Sequence, residues 1–431
     1  MKIKLGIVCL TRQTFDYQTA GKIYQDIREK LERRLDLSLV AVPDTIETAT
    51  QAEQAGKMFH REQVDCVAII SGTFHLGHLV LEIKKWCDAP LLLWGLPELP
   101  YDGGKIRLNS VCGVNLNASN LVKSGINDFV YHIGEDIDEN FLDAVRIIAA
   151  LKSAKIGLLG SHAHGFFNVG MDQLKAYKKF GVGIEHFELE EVFKYPFLNE
   201  EKDLFLKLIK ENFENKEHKN AEKVAELSAK LKFFMDNHAL SGLAIRCWPE
   251  FAEGFGIAPC ASMSLVQSLG YILACEGDID CAITMIAHKA VGAETPFMAD
   301  ISQADIKENT ALMWHCGVAP CNLKDSECTL DDYHAGGKGM TAGFVLKKGF
   351  VDMTRLDSIS GEYRLFHERG EAVRMPKLLT GSYAKVRFEN SLKDVLDKVI
   401  YSGVAHHVSV VYGDYTRAFE IFCRLKDIKV L

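Results

Sequence analysis

The stretch KLGIVCL, Lys4 to Leu10, places six consecutive non-polar residues behind one lysine. A strand with one face in water alternates apolar and polar residues, whereas a strand covered on both faces reads as a continuous apolar run. KLGIVCL is of the second kind. The same texture returns at Leu37–Val42, Cys66–Ser71 and Pro90–Trp94, with helix-length amphipathic segments between them, for example Ala20–Arg34 and Glu47–His60. Continuous strands alternating with helices imply a parallel sheet layered by helices, a doubly wound α/β domain expected over residues 1–153.

The pattern repeats further along. KIGLLG from Lys155, Val182–Phe187 and Gly242–Arg246 read as buried strands of a second doubly wound α/β domain, residues 154–292. Within it, Asn199–Asn237 is highly charged, with Leu204, Leu208, Phe213, Val224, Leu227 and Leu231 near helical spacing, and a pair of solvated amphipathic helices is expected. After residue 300 the texture changes. Short runs at Gly343–Lys347, Tyr383–Phe388 and His407–Tyr412 are broken by Gly, Asp and Ser, so residues 293–431 are expected to form a mainly β, barrel-like domain.

Bulk properties bound the function. A 431-residue chain with a formal charge of −8 is too long for one ordinary domain and offers no electrostatic case for nucleic acid or an anionic membrane as partner. The opening MKIKLGIVCL lacks the h-region and cleavage site of a signal peptide, and no apolar run is long enough to span a bilayer. The twelve cysteines form no CxxC pair and show no zinc-site spacing, as expected of reduced thiols in a cytoplasmic protein. Nucleotide motifs are missing: no G-x-G-x-x-G follows the first strand, and the run HAGGKGMTAG, His334 to Gly343, reads as a loop rather than a phosphate cradle.

Chemistry concentrates in three places. ACEGDIDCAITM, Ala274 to Met285, sets Glu276 and Asp278 at the end of an apolar run, where a carboxylate is costly unless a metal, a base or hydrogen bonds hold it. ETPFMADISQAD carries Asp300 at the end of an apolar strand, where α/β proteins place functional groups. GVAHHVSVVYGD sets His406 and His407 before an apolar strand; neighbours on a strand face opposite ways, so one of the two is expected to aim inward. Two carboxylates and an imidazole suit a hard-to-borderline divalent ion such as Mn²⁺. Taken singly, a helix cap and a hydrogen-bonded core histidine explain these residues equally well.

The segment ACEGDIDCAITM resembles the ACEAD-x-x-GALTM stretch of the L-fucose isomerase family, which is related to L-arabinose isomerase, although position 281 is Cys where the family has Gly. Phe297-Met-Ala-Asp300, HHVSVVYG and VDMTRLDSISGEYRLF, Val351 to Phe366, extend the resemblance. It implies Glu276, Asp300 and His407 as ligands of Mn²⁺ (Co²⁺ or Mg²⁺ being alternatives), with Glu276 and Asp300 also the catalytic acid/base pair. It further implies interconversion of an aldose and a ketose through a cis-enediol, on a sugar of the fucose or arabinose type or a modified hexose, anionic ones included. Arg12 resembles an N-domain arginine that contacts sugar hydroxyls, although a surface ion pair would account for it equally. Trp248 could stack on a sugar face or simply pack. His315 matches an additional histidine ligand of the arabinose enzymes that the fucose enzymes lack. Asp278 is expected to face away and cap or pair locally, and His75 and His78 to serve capping and packing. The chain is over a hundred residues shorter than a typical L-fucose isomerase. A homo-oligomer, up to a hexamer, is the expected assembly. The competing reading is a non-catalytic sugar-binding or sensor protein built on a two-domain α/β cleft.

Overall fold

The computed structural model describes residues 1–332 and 338–431; residues 334–337 of the glycine-rich run lie outside the described residues. The chain divides into two compact units, Met1–Ala149 with Arg417–Ile428, and Ala150–Thr416 with Lys429–Leu431.

In the first unit, β1 (Ile3–Leu10), β2 (Leu37–Ala41), β3 (Cys66–Ser71), β4 (Leu91–Gly95) and β5 (Phe129–Ile133) form a parallel sheet in the order β2-β1-β3-β4-β5. Every residue of β3 and β4 is buried, which is why those runs contain no alternation. The helices between them start on side-chain caps. Asp16 accepts from the Thr19 amide ahead of helix Tyr17–Glu32, and Thr48 and Gln51 form a reciprocal capping box ahead of Ala49–Glu62. Phe59 of the second helix packs over Gly6, where a Cβ would lie only 2.9 Å from the ring, so the glycine sets the helix–sheet distance.

The second unit begins with four parallel strands, β6 (Lys155–Leu159), β7 (Gly183–Phe187), β8 (Gly242–Ile245) and β9 (Leu273–Ala274), in the order β7-β6-β8-β9. The charged segment does form two helices, Asn199–Asn212 and Ala221–Asn237, but they are not both solvated. The second buries ten residues, including Val224, Leu227, Leu231 and Phe234. In the first, the inward stripe is Phe205 and Ile209, whereas Leu204 is exposed. The sequence carries two apolar stripes one residue apart, and tertiary packing selected the one with the larger aromatic.

The β-rich portion closes on itself. Strands β10 (Phe297–Asp305), β11 (Thr310–His315), β12 (Thr329–Asp332), β13 (Met340–Val345), β14 (Gly349–Ile359), β15 (Glu362–Val373), β16 (Ser382–Phe388), β17 (His407–Tyr412) and β18 (Lys429–Val430) make one sheet. The ring β16-β11-β10-β17-β14-β15 returns to β16, and all its pairings are antiparallel. Closure removes the unpaired edges that a sheet of this length would otherwise expose. Asp300 is not at a strand end: β10 runs on to Asp305, with a register shift between Ile301 and Gln303. The burial pattern explains the difference, because β10 turns from buried to exposed at Asp300, so the apolar run ends before the hydrogen bonding does. Pairing sets Asp300 opposite His407 on one side and Trp314 on the other.

All twelve cysteines are free thiols, and all but Cys112 are buried. Among the described residues no helix is long and apolar enough to cross a membrane.

Candidate active site

Glu276 sits on a short turn between β9 and the buried helix Ile279–Ala290, in the left-handed region at φ 60°, ψ 14°. That region costs a non-glycine side chain about 1–3 kcal/mol. The turn is held from outside: the Ala163 amide donates to the Glu276 carbonyl at 2.9 Å, and the neighbouring Gly277 (φ 75°) presses on the Ser161–His162 backbone so closely that a Cβ would meet His162 Cα at 2.6 Å.

Around His407 the structure gathers Glu276, Asp300 and His315, which the sequence singled out. The Glu276 Oε2 atom lies 3.1 Å from His407 Nε2, and Asp300 Oδ1 lies 3.5 Å from the same nitrogen. His315 is buried, with its ring stacked on that of His407 at a centroid distance of 5.5 Å. Two sets of donor atoms fall within 4.8 Å of one another, Glu276–His406–His407 and Asp300–His315–His407. His407 is the one of the two that is fully buried, while His406, with 38% of its side chain exposed, reaches the rim of the cluster 3.6 Å from Glu276 Oε2. Strand alternation does not separate them because β17 starts at His407, leaving His406 in the preceding connection.

Asp278 is likewise more than a local cap. It does cap the helix, accepting from the Cys281 amide at 2.9 Å. Its other oxygen accepts from His407 Nδ1 at 2.8 Å and from Arg355 Nη1 at 2.7 Å, all within a fully buried network. A carboxylate on Nδ1 keeps the proton there and turns the Nε2 lone pair toward Glu276 and Asp300. His315 is set the other way. Its Nδ1 accepts from the Cys316 amide at 2.8 Å, so a neutral ring carries its proton on Nε2, a donor rather than a ligand atom. Arg355, buried between Asp278 and Asp357, was not singled out from sequence; the available signal was an arginine inside the apolar strand VDMTRLD.

The cluster favours positive charge. Burial would raise the Glu276 and Asp278 pKa values, yet both lie well below the usual carboxylate range, through His406 and His407 for the first and Arg355 and His407 for the second. Burial opposes charge on His315 and His407 too, yet Asp300 and the Cys316 thiol push His315 up to about 10, and Asp278 and Glu276 raise His407. Asp300 Oδ1 and His407 Nε2 are buried without a hydrogen-bond partner. Converging buried donors left unsatisfied are costly, and carboxylate with imidazole is a donor set that a divalent ion satisfies. The residues fit a metal ion.

Trp248 borders the cluster, its indole N–H donating to Glu276 Oε1 at 3.4 Å. Phe166, which the sequence did not point to, packs edge-on against both Trp248 and His406. Arg12 lies in the first unit just after β1, partly exposed, with its backbone amide donating to Thr73 Oγ1. His75 is buried and bonded to Ser71 Oγ at 3.1 Å, a packing role, while His78 opens helix His78–Trp86.

Residues 6–153 match the family described as "Fucose/sulfoquinovose isomerase, N-terminal domain". A sulfoquinovose isomerase from Priestia aryabhattai is 28% identical over 424 residues, covering 95% of this chain and 94% of its own. One from Alkalicoccus urumqiensis is 24% identical, covering 98% and 97%. Among solved structures, a periplasmic solute binding protein from Actinobacillus succinogenes 130z with bound D-allose covers 68% of this chain and 94% of its own at 11% identity, with a TM-score of 0.19, too low to bear on fold or function. Similarity to these relatives over nearly the whole chain supports the class of sugar isomerases, intramolecular oxidoreductases, and parallel α/β layers, an antiparallel barrel and a buried carboxylate–imidazole cluster accompany that similarity. Over residues 6–153 by family, and over nearly its whole length by these relatives, the chain is similar to the fucose/arabinose isomerase-like superfamily.

Proposed function

We propose that this isomerase is metal-dependent, works through a cis-enediol and acts on a hexose bearing a sulfonate, of the sulfoquinovose kind on which its relatives are named. The observation that supports the metal reading is that Glu276 and Asp300 each approach His407 Nε2, at 3.1 and 3.5 Å, while Asp300 Oδ1 and His407 Nε2 have no hydrogen-bond partner. Segment 154–292 would contribute Glu276 and Trp248, and segment 293–431 would contribute Asp300, His315 and His407.

Glu276, Asp300 and His407 would hold Mn²⁺, with Co²⁺ or Mg²⁺ as alternatives. When bound, the ion supplies Lewis acidity that stabilises negative charge developing on the sugar oxygens. One carboxylate of the Glu276–Asp300 pair removes the proton from C2 and the pair returns a proton to C1, while the O2 hydroxyl proton passes to O1, so the sugar is isomerised with no net gain or loss. Asp278 fixes the His407 ring, His315 donates a hydrogen bond from Nε2, and Trp248 presents an apolar face to the ring. The proposal extends to a cytoplasmic homo-oligomer of up to six copies.

The test is a panel of aldoses, sulfoquinovose included, incubated with Mn²⁺ in deuterated water before and after EDTA. Ketose formation that stops with EDTA, with one deuterium incorporated at C1 of the ketose or at C2 of the recovered aldose, is expected. Ketose formed without solvent deuterium would replace the enediol with a hydride shift. No ketose from any sugar, together with no effect of Mn²⁺ on unfolding, would overturn the metal-isomerase reading.

A further inference from the structure

Trp248 has a second surface. Besides touching Glu276 it forms one wall of a cleft of about 480 Å³ in the second unit, within the size range of small-molecule sites. Ser161, His162, His164, Arg246 and Glu250 form much of the remaining wall. Arg246 follows the carboxyl end of β8, the end at which parallel α/β sheets collect ligands.

The Arg246 guanidinium is held before any ligand arrives. Its Nη1 donates to Ser161 Oγ at 3.0 Å, and its Nη2 pairs with Glu250 Oε1 at 3.1 Å. Those bonds use only part of its N–H donors, and its Nε is enclosed without an acceptor. Glu250 opposes an anion by its charge, but it engages one edge of the fork and fixes its plane, the arrangement in which arginine reads an oxyanion. His162 and His164 stand on the loop after β6. That loop is tied to the catalytic turn through the bond from the Ala163 amide to the Glu276 carbonyl, so cleft and turn are one connected piece.

We propose that this cleft is the subsite for the anionic substituent of the hexose, with Arg246 as the specificity-determining residue and His162 and His164 as additional N–H donors. A sulfonate is ionised at every working pH, and arginine is the side chain that stays charged with it. The inference rests on the isomerase reading above and adds the place where the charged end of the substrate is recognised.

The experiment compares kcat/KM for sulfoquinovose and for its neutral 6-deoxy counterpart, quinovose, in the wild type, Arg246→Met and Arg246→Lys. The ratio of the two is expected to fall about 30-fold in Arg246→Met, a size typical of one lost charge-assisted hydrogen bond, and to recover in part in Arg246→Lys. Equal loss for both sugars would assign Arg246 a structural role and overturn the proposal, as would an unchanged ratio. A hexose 6-phosphate is the third substrate: turnover that falls in parallel with that of sulfoquinovose supports a general oxyanion subsite. Methanesulfonate as inhibitor separates this claim from the choice of substrate. If the wild type isomerises only neutral sugars, the sulfonated-substrate reading fails, and inhibition by methanesulfonate that disappears in Arg246→Met still supports the subsite. Inhibition that persists in the variant, or no inhibition in the wild type, overturns it.

Discussion

At the scale of single residues, Asp278 does three things at once. It caps a buried helix, orients His407 and neutralises Arg355. Asp278→Asn keeps the shape but removes the charge, so the His407 ring loses the partner that fixes its tautomer. Metal affinity is expected to fall roughly 10–100-fold, as for other groups that orient a ligand from behind. Arg355 retains Asp357, so the loss of stability should stay near the lower end for a broken buried pair, about 3 kcal/mol. Mn²⁺ titration calorimetry and urea unfolding read the two effects separately. Unchanged affinity in a folded variant would remove Asp278 from the site. None of this was legible locally: the acids of ACEGDID stand out, but which of them faces the metal donors and which faces Arg355 depends on strands tens of residues away.

Elements were the most legible level. The continuous runs at Lys4–Leu10 and Cys66–Ser71 became β1 and β3 within a residue or so, because burial on both faces leaves no other composition for a central parallel strand. Barrel closure was less visible, since it rests on the backbone approach of β15 to β16 and not on side-chain pattern. Gly370 pairs with Phe388 at this seam, and a Cβ there would strike the Arg387 carbonyl and stand 2.7 Å from Val386 Cγ1. Gly370→Ala should therefore destabilise the protein by about 1–3 kcal/mol, the usual effect of overpacking, while leaving the parallel sheets intact. Denaturant midpoints combined with circular dichroism measure it; an unaltered midpoint would mean that the seam yields freely.

Over the whole molecule, two buried groups make contributions of opposite sign to the response to acid. In the first unit, burial presses His75 down from 6.5 to about 4, with the Leu76 carbonyl offsetting only part. The folded state then binds fewer protons than the unfolded chain between these values, so the stability from a neutral His75 is complete above pH 6.5 and is lost as pH falls through about 4. In the second unit, burial pushes Asp280 up from 3.8 to about 6 despite Arg355 and the hydrogen bonds from Ser358 and Tyr363. Here the protonated Asp280 favours the folded state, so the contribution of this one group is greatest below pH 3.8 and is lost as pH rises through about 6. Relative to wild type, His75→Gln should gain stability on acidification from pH 7 to 4, and Asp280→Asn should gain on alkalinisation across nearly the same range. Each change is on the order of 2–3 kcal/mol. Unfolding free energies at pH steps of half a unit test both signs, and profiles parallel to wild type would discard them.

The sequence by itself determined the layers of this protein and the residue types of its site. Strand burial and helix amphipathicity are written in periods of a few residues, and a carboxylate set in an apolar run stands out against its neighbours. Only the tertiary structure decided which acids share a histidine, that His406 joins His407, that Asp278 turns inward, and that β15 meets β16. Those outcomes depend on strand register and ring closure between segments up to 129 residues apart, as Asp278 and His407 are, and register is set by the packing of the whole barrel rather than by any local run of the chain.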